Sequence, residues 1–144
     1  MGSALLRAIE RAYELLETQR TAPVCKTIWG SPAGKKRIAD RLVAMLPTHK
    51  TYVEPFAGSA AVLFAKERSE VEVINDADTE IARAYKLVQK LKAKDIARLR
   101  EKKWVGDEAT FKSLIDENPR DDVGWLHRFL YLTHFSYGKM RGKS

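Results

Sequence analysis

Cysteine is almost absent from this chain: Cys25 is the single one in 144 residues. An internal disulfide is therefore excluded, and a reducing, cytoplasmic setting is expected. Histidine is scarce too, and His49, His127 and His134 form no metal-ligand spacing with Cys25, so no metal is expected. No apolar run approaches the roughly 20 residues that a membrane helix needs. Glu10, Glu14 and Glu17 argue against a secretory or transit peptide in the N-terminal stretch. Internal repeats and low-complexity segments are missing. The five prolines, at 23, 32, 47, 55 and 119, are never adjacent.

What is present describes a folded domain. Hydrophobic residues make up 44% and charged residues 31%, a globular rather than a disordered composition. The net charge of +7 favours a polyanionic partner, because each phosphate contact releases counterions.

The chain is organised around Thr51 to Asp78. Thr51-Tyr52-Val53 is a short β-prone run, and Glu54-Pro55-Phe56-Ala57-Gly58 follows at once. Ser59 to Lys66 continues as a helix packed through Ala60, Ala61, Leu63 and Phe64. A second apolar run, Val71, Val73 and Ile74, leads into Asn75-Asp76. The pattern predicts strand, glycine turn, helix, strand and acidic turn. That is half of a nucleotide-binding α/β unit, in which an acidic side chain about 20 residues after the glycine meets a ribose. Asp76 follows Gly58 by 18 positions. Two readings stay open for each acidic residue. Glu54 contacts a ligand or complements a helix dipole; Asp76 holds a ligand or caps a turn.

Upstream, residues 4–19 place Leu5, Ile9, Leu15 and Leu16 near helical spacing, and Thr21 to Lys26 reads as a linker. Thr27 to Gly34 carries two glycines and a proline, which exclude regular structure, and a helix is expected from about Lys35 to Leu46, ended by Pro47. A glycine loop feeding a helix N-terminus can meet an anion or polar ligand. Gly30 to Lys36 is one residue short of a phosphate loop and lacks its hydroxyl, which argues against an NTPase. On composition alone Trp29 reads rather as a core aromatic, and Lys35 and Lys36 as a solvated helix start.

Downstream, Asp78 to Lys103 reads as helix, with Ile81, Ala84, Tyr85, Val88 and Leu91 on one face and a run of lysines and arginines elsewhere. Such a run is a phosphate-facing strip or a solvated face. Glu108 to Asp116 predicts a short helix and Asp121 to Tyr137 a strongly apolar one. Ser136 to Ser144 is basic and glycine-rich and carries Tyr137, a composition suited to a nucleic-acid backbone or to a frayed tail.

Three stretches resemble one family in order and approximate spacing. TYVEPFAGSAAVLF with the INDAD turn resembles the cofactor region of Dam-type adenine-specific DNA methyltransferases. WGSPAGKKRIADRLVAMLP resembles their N-terminal W-x-G-G-K motif, and FLYLTHFSYGKMR the stretch after their helical DNA-recognition region. The departures are two extra residues between Trp29 and Lys35, Ser59-Ala60-Ala61 in place of a second turn glycine, and Thr133 in place of an asparagine.

The resemblance implies an α/β fold, mostly helical by residue count. It would be a partial Rossmann-like methyltransferase core, the βαβ half, with a helical target-recognition insertion. It implies three regions: 1–25 as N-terminal helix and linker, 26–80 as the S-adenosylmethionine-binding half, and 81–144 as the DNA-recognition region. The cofactor would be S-adenosylmethionine and the partner double-stranded DNA. Trp29, Lys35, Glu54, Pro55, Phe56, Ala57, Gly58 and Asp76 would bind the cofactor; Tyr137, Lys139 and Arg141 would face DNA. The family's catalytic Asp-Pro-Pro-Tyr, which binds and stacks on the flipped adenine, does not occur in these residues. The catalytic residues are thus not among them, and the chain alone is expected to be inactive. Alternatives are a cofactor- and DNA-binding module without turnover, one half of a split methyltransferase completed by a C-terminal polypeptide, or a methyltransferase acting on RNA.

Overall fold

The computed structural model describes Arg7, Ile9, Glu10, residues 27–139 and Arg141. Most of the helix expected over residues 4–19, the linker before Thr27, and Met140 and Gly142 to Ser144 of the tail lie outside the described residues. Arg7, Ile9 and Glu10 are helical, and Ile9 is buried in the core.

The chain is a mixed α/β structure, mostly helical, with one small parallel sheet among the described residues. A 3-10 turn at Lys35–Arg37 precedes α1 (Ala39–Ala44). Then come β1 (Thr51–Glu54), α2 (Ala61–Ala65), β2 (Val71–Ile74), α3 (Thr79–Lys90), α4 (Ala93–Arg100), α5 (Glu108–Asp116) and α6 (Asp122–Phe135). A second 3-10 turn at Tyr137–Lys139 follows. The strands β1 and β2 pair in parallel, with Thr51 opposite Val71 and Val53 opposite Val73. The parallel pairing requires the crossover that α2 supplies.

The helices end where their chemistry changes. Asp78, Asp107 and Asp121 cap α3, α5 and α6 by accepting from the backbone N–H groups of Glu80, Thr110 and Gly124. The single helix expected over Asp78 to Lys103 is two. Leu91 and Lys92 adopt extended backbone, and the Asp95 carboxylate accepts from the Lys92 N–H at 3.0 Å to restart the helix. The helix expected from Lys35 is likewise split, its first turn being 3-10 and Ile38 separating it from α1. The helix after the glycine turn begins at Ala61, because Ala60 sits in the left-handed region at φ 49°.

The core joins both ends of the chain. Ile28, Trp29, Ala57 and Ala60 pack with Ile81, Ala84, Tyr85 and Val88 of α3 and with Leu126, Phe129 and Leu130 of α6. Helix α6 buries Val123, Leu126, His127 and the whole run Phe129 to Thr133. A helix that is apolar around most of its circumference belongs inside the fold. The sheet is different. Val53, Val71 and Val73, on one face of the strand pair, are 54%, 50% and 45% exposed. No helix among the described residues is long and apolar enough to cross a membrane.

Candidate functional site

The turn after β1 is fixed from three directions, all converging on Gly58. Its carbonyl accepts from the Trp29 indole Nε1–H and from the Tyr85 hydroxyl, each at 3.1 Å, which uses both lone pairs. Its N–H donates to Asp76 Oδ2 at 2.7 Å. Gly58 lies at φ 52°, and a Cβ there would stand 2.8 Å from Ser31 Oγ. The left-handed backbone favours glycine, and any side chain there would push the Ser31 hydroxyl aside. The turn therefore presents backbone at the carboxyl end of β1, the end at which α/β proteins place ligands.

The acidic turn after β2 is tied to the same point. Asp76 Oδ1 accepts from the Asp78 N–H at 2.9 Å while Oδ2 holds Gly58. Asn75 closes the pair of turns: its carbonyl accepts from the Ala57 N–H at 2.9 Å, and its side chain donates to the Pro55 carbonyl at 3.3 Å. Two turns distant in sequence thus form one surface.

Glu54 lies beneath that surface, buried at the end of β1. Its Oε2 accepts from the Tyr52 hydroxyl at 3.2 Å and from the Leu63 N–H at 3.3 Å. Its Oε1 is buried without a hydrogen bond, and the Lys35 ammonium 3.0 Å away is its charge partner. Lys35 also donates to the Phe56 carbonyl at 2.8 Å. Burial first, and then the Glu54 and Glu72 carboxylates, push the Tyr52 phenol far above its ordinary range, so it stays a donor. Lys66, buried beside it, pairs with Glu72 at 2.6 Å and sits 4.6 Å from the centre of the Tyr52 ring.

The structure thus brings Trp29, Lys35, Glu54, Pro55, Phe56, Ala57, Gly58 and Asp76 together. Trp29 is a buried core aromatic, and its indole N–H serves the turn. Phe56 projects outward, 77% exposed. Tyr85 was missed as a site residue. Its signal was a tyrosine on an otherwise apolar helix stripe, since a buried phenol seeks an acceptor.

The residues after α6 divide. Tyr137 is 99% exposed. Lys139 donates to the His134 carbonyl at 2.6 Å, and its stem lies over Gly30. Arg141 points inward: its side chain is 9% exposed and pairs with Asp78 and, at 3.1 Å, with Glu80. Among the basic residues of α3 and α4, Arg83 pairs with Asp122, Arg98 with Asp121 and Arg100 with Glu10. Lys86, Lys90, Lys92 and Lys94 form no ion pair with described residues and stand exposed. Among the described residues no group of three or more His, Cys, Asp or Glu side chains could hold a metal.

The described residues thus hold a parallel βαβ unit whose glycine and acidic turns are locked together at the carboxyl ends of its strands. The family model for D12 class N6 adenine-specific DNA methyltransferases matches residues 32–141, and the chain belongs to that family. It is similar to the Type II methyltransferase M.CviBI of Paramecium bursaria Chlorella virus NC1A, at 30% identity over 121 residues. That alignment covers 83% of this chain and 45% of the relative, so the chain spans less than half the relative's length. No solved structure matches it.

Proposed function

We propose that this chain is the cofactor-binding and DNA-facing portion of an adenine-specific DNA methyltransferase, its βαβ unit being half of a Rossmann-like core. Residues 26–80 would form the S-adenosylmethionine-binding half and 81–144 the DNA-recognition region. The observation that carries this reading is the Gly58 turn, held by Trp29, Tyr85 and Asp76 at the carboxyl ends of both strands.

The residues fit S-adenosylmethionine. Glu54 Oε1 is a buried carboxylate oxygen facing the Lys35 ammonium at 3.0 Å, and its further lone pair suits a ligand ammonium or hydroxyl. Asp76 spends one lone pair of each oxygen on the backbone and keeps others for ribose hydroxyls. The exposed Phe56 ring offers apolar surface beside the turn. The cofactor supplies a methyl group on a cationic sulfonium. This chain's part is to bind and orient it; no catalytic residue is assigned, because Asp-Pro-Pro-Tyr is not in the sequence. Double-stranded DNA meets the basic helical side, with Tyr137 and Lys139 among the contacts.

Calorimetric titration with S-adenosylmethionine tests the site. The chain binds it, and Asp76→Ala weakens binding by about tenfold, the worth of a charge-assisted hydrogen bond, with a smaller loss of stability. A collapse in melting temperature with unchanged affinity makes Asp76 a structural cap only. Lys139→Gln lowers the salt slope of DNA binding by about 1; an unchanged slope removes Lys139 from the interface.

A second reading, a half of a split methyltransferase, is favoured by the open sheet face of Val53, Val71 and Val73. Parallel sheets are normally covered on both faces. Methyl transfer that emerges only when a second polypeptide bearing Asp-Pro-Pro-Tyr is added supports it, and transfer by the chain alone contradicts it.

A further inference from the structure

Arg141 ties the stretch after α6 to the start of α3, which lies 61 to 63 residues earlier, and to α6 itself. Its guanidinium pairs with Asp78, the cap of α3, and with Glu80 in the first turn of that helix. It also lies 5.0 Å from the centre of the Phe129 ring on α6. From both contacts the path leads back to Gly58. Phe129 meets Trp29 edge-on at 5.2 Å, and Trp29 donates to the Gly58 carbonyl. On the other side the Asp78 N–H is held by Asp76, which holds the Gly58 N–H. The contacts close a ring around the glycine turn.

The backbone is bent to make this ring. Gly138, Lys139 and Arg141 all have positive φ, at 59°, 63° and 54°, and the Arg141 N–H donates to Ser136 Oγ at 2.9 Å. Non-glycine residues adopt that region at a cost and keep it where surrounding contacts impose it. Here the imposing contacts are the paired carboxylates and the lysine stem over Gly30. The same segment therefore touches the loop of Trp29 and the acidic turn at once.

We propose that Arg141 is a positioning residue that couples the stretch after α6 to the cofactor turn. By anchoring Asp78 and Glu80 it fixes the Asp76–Asp78 backbone, and through Asp76 it fixes Gly58. Its donors serve the acidic turn and not a phosphate. The functional part of this inference rests on the cofactor-binding reading given above; the mechanical part does not.

Two measurements separate them. Without ligand, the exchange protection of the Gly58 amide hydrogen reports the Asp76 bond. Arg141→Gln should speed that exchange by about tenfold, the scale of one charge-assisted hydrogen bond. Arg141→Lys should recover part of the protection, since an ammonium can serve one carboxylate but not both in a fork. Glu80→Gln should give a smaller increase and leaves the Asp78 cap intact, so it stands in should Arg141→Gln not fold. Arg68→Gln, an exposed charge-matched control, should change nothing. Unchanged Gly58 exchange in both Arg141→Gln and Glu80→Gln overturns the coupling. With S-adenosylmethionine, Arg141→Gln should raise Kd about tenfold while the salt slope of DNA binding stays as in the parent chain. A lowered slope with unaltered Kd would make Arg141 a phosphate contact and overturn the proposal. If the parent chain binds no cofactor yet Gly58 exchange still responds, the coupling stands and the cofactor reading fails.

Discussion

The two halves of this molecule are held together by different forces. The helices α3 to α6 are held by apolar packing, with Leu126 and Leu130 of α6 wholly buried and aromatic rings closing around Phe129. The strand pair itself buries little besides Glu54, and its glycine turn adds only small side chains, Ala57 and Ala60, to the core. Their position comes from directed contacts: an indole, a phenol, a carboxylate and a lysine, each aimed at a particular backbone atom. Packing is non-directional, whereas such contacts depend on the distance and angle between particular atoms. The comparison teaches that the helical half supplies stability and uses it to hold the turn half in a defined shape.

Substitutions should separate the halves. Leu130→Ala, in the helical core, should lower stability by about 2–5 kcal/mol, as removal of a fully buried leucine does; chemical denaturation would read it. A loss below that range would mean that α6 is not the anchor. Gly58→Ala should cost about 1–2 kcal/mol from its left-handed backbone, and it should damage ligand binding more than Leu130→Ala does in the fraction that remains folded. Equal damage from both would erase the distinction between the halves.

A pH series sharpens the comparison on the helical side. Burial lowers the His127 pKa below its ordinary value, with the Lys103 carbonyl opposing this, and burial and then the Lys139 charge lower His134. The unfolded chain therefore takes up protons first. Stability should be fully present above the unfolded histidine value of about 6.5 and should fall as pH drops through it towards the folded values. His127→Gln should flatten part of that slope. The smallest effect belongs to the sheet: Val73→Thr should move stability by only about 0.5 kcal/mol, as exposed positions do. A large loss would show that the open face is already covered in solution.

Much of this organisation was legible in the sequence. The strand–turn–helix–strand order followed from Thr51 to Asp78, and α5 was expected over the residues it occupies, Glu108 to Asp116. Local chemistry decided those points, so local reading sufficed. The break at Leu91 and Lys92 was hidden because the apolar stripe runs straight across it; only the Asp95 side chain, three residues on, marks the restart. The exposure of Val71 and Val73 was not legible either, since alternation in a strand does not say whether anything covers the face. Arg141 read as a DNA-facing charge because its carboxylate partners lie 61 and 63 residues away. The Tyr85 bond to Gly58 was hidden for the same reason: it spans 27 residues.

The most direct test of the central claim is to titrate the chain with S-adenosylmethionine while following its backbone amide and indole N–H resonances. Saturable shifts centred on Ala57, Gly58, Asp78 and the Trp29 indole are expected, with α5 silent. Shifts centred on α4 and α5, or none that saturate, would contradict the claim.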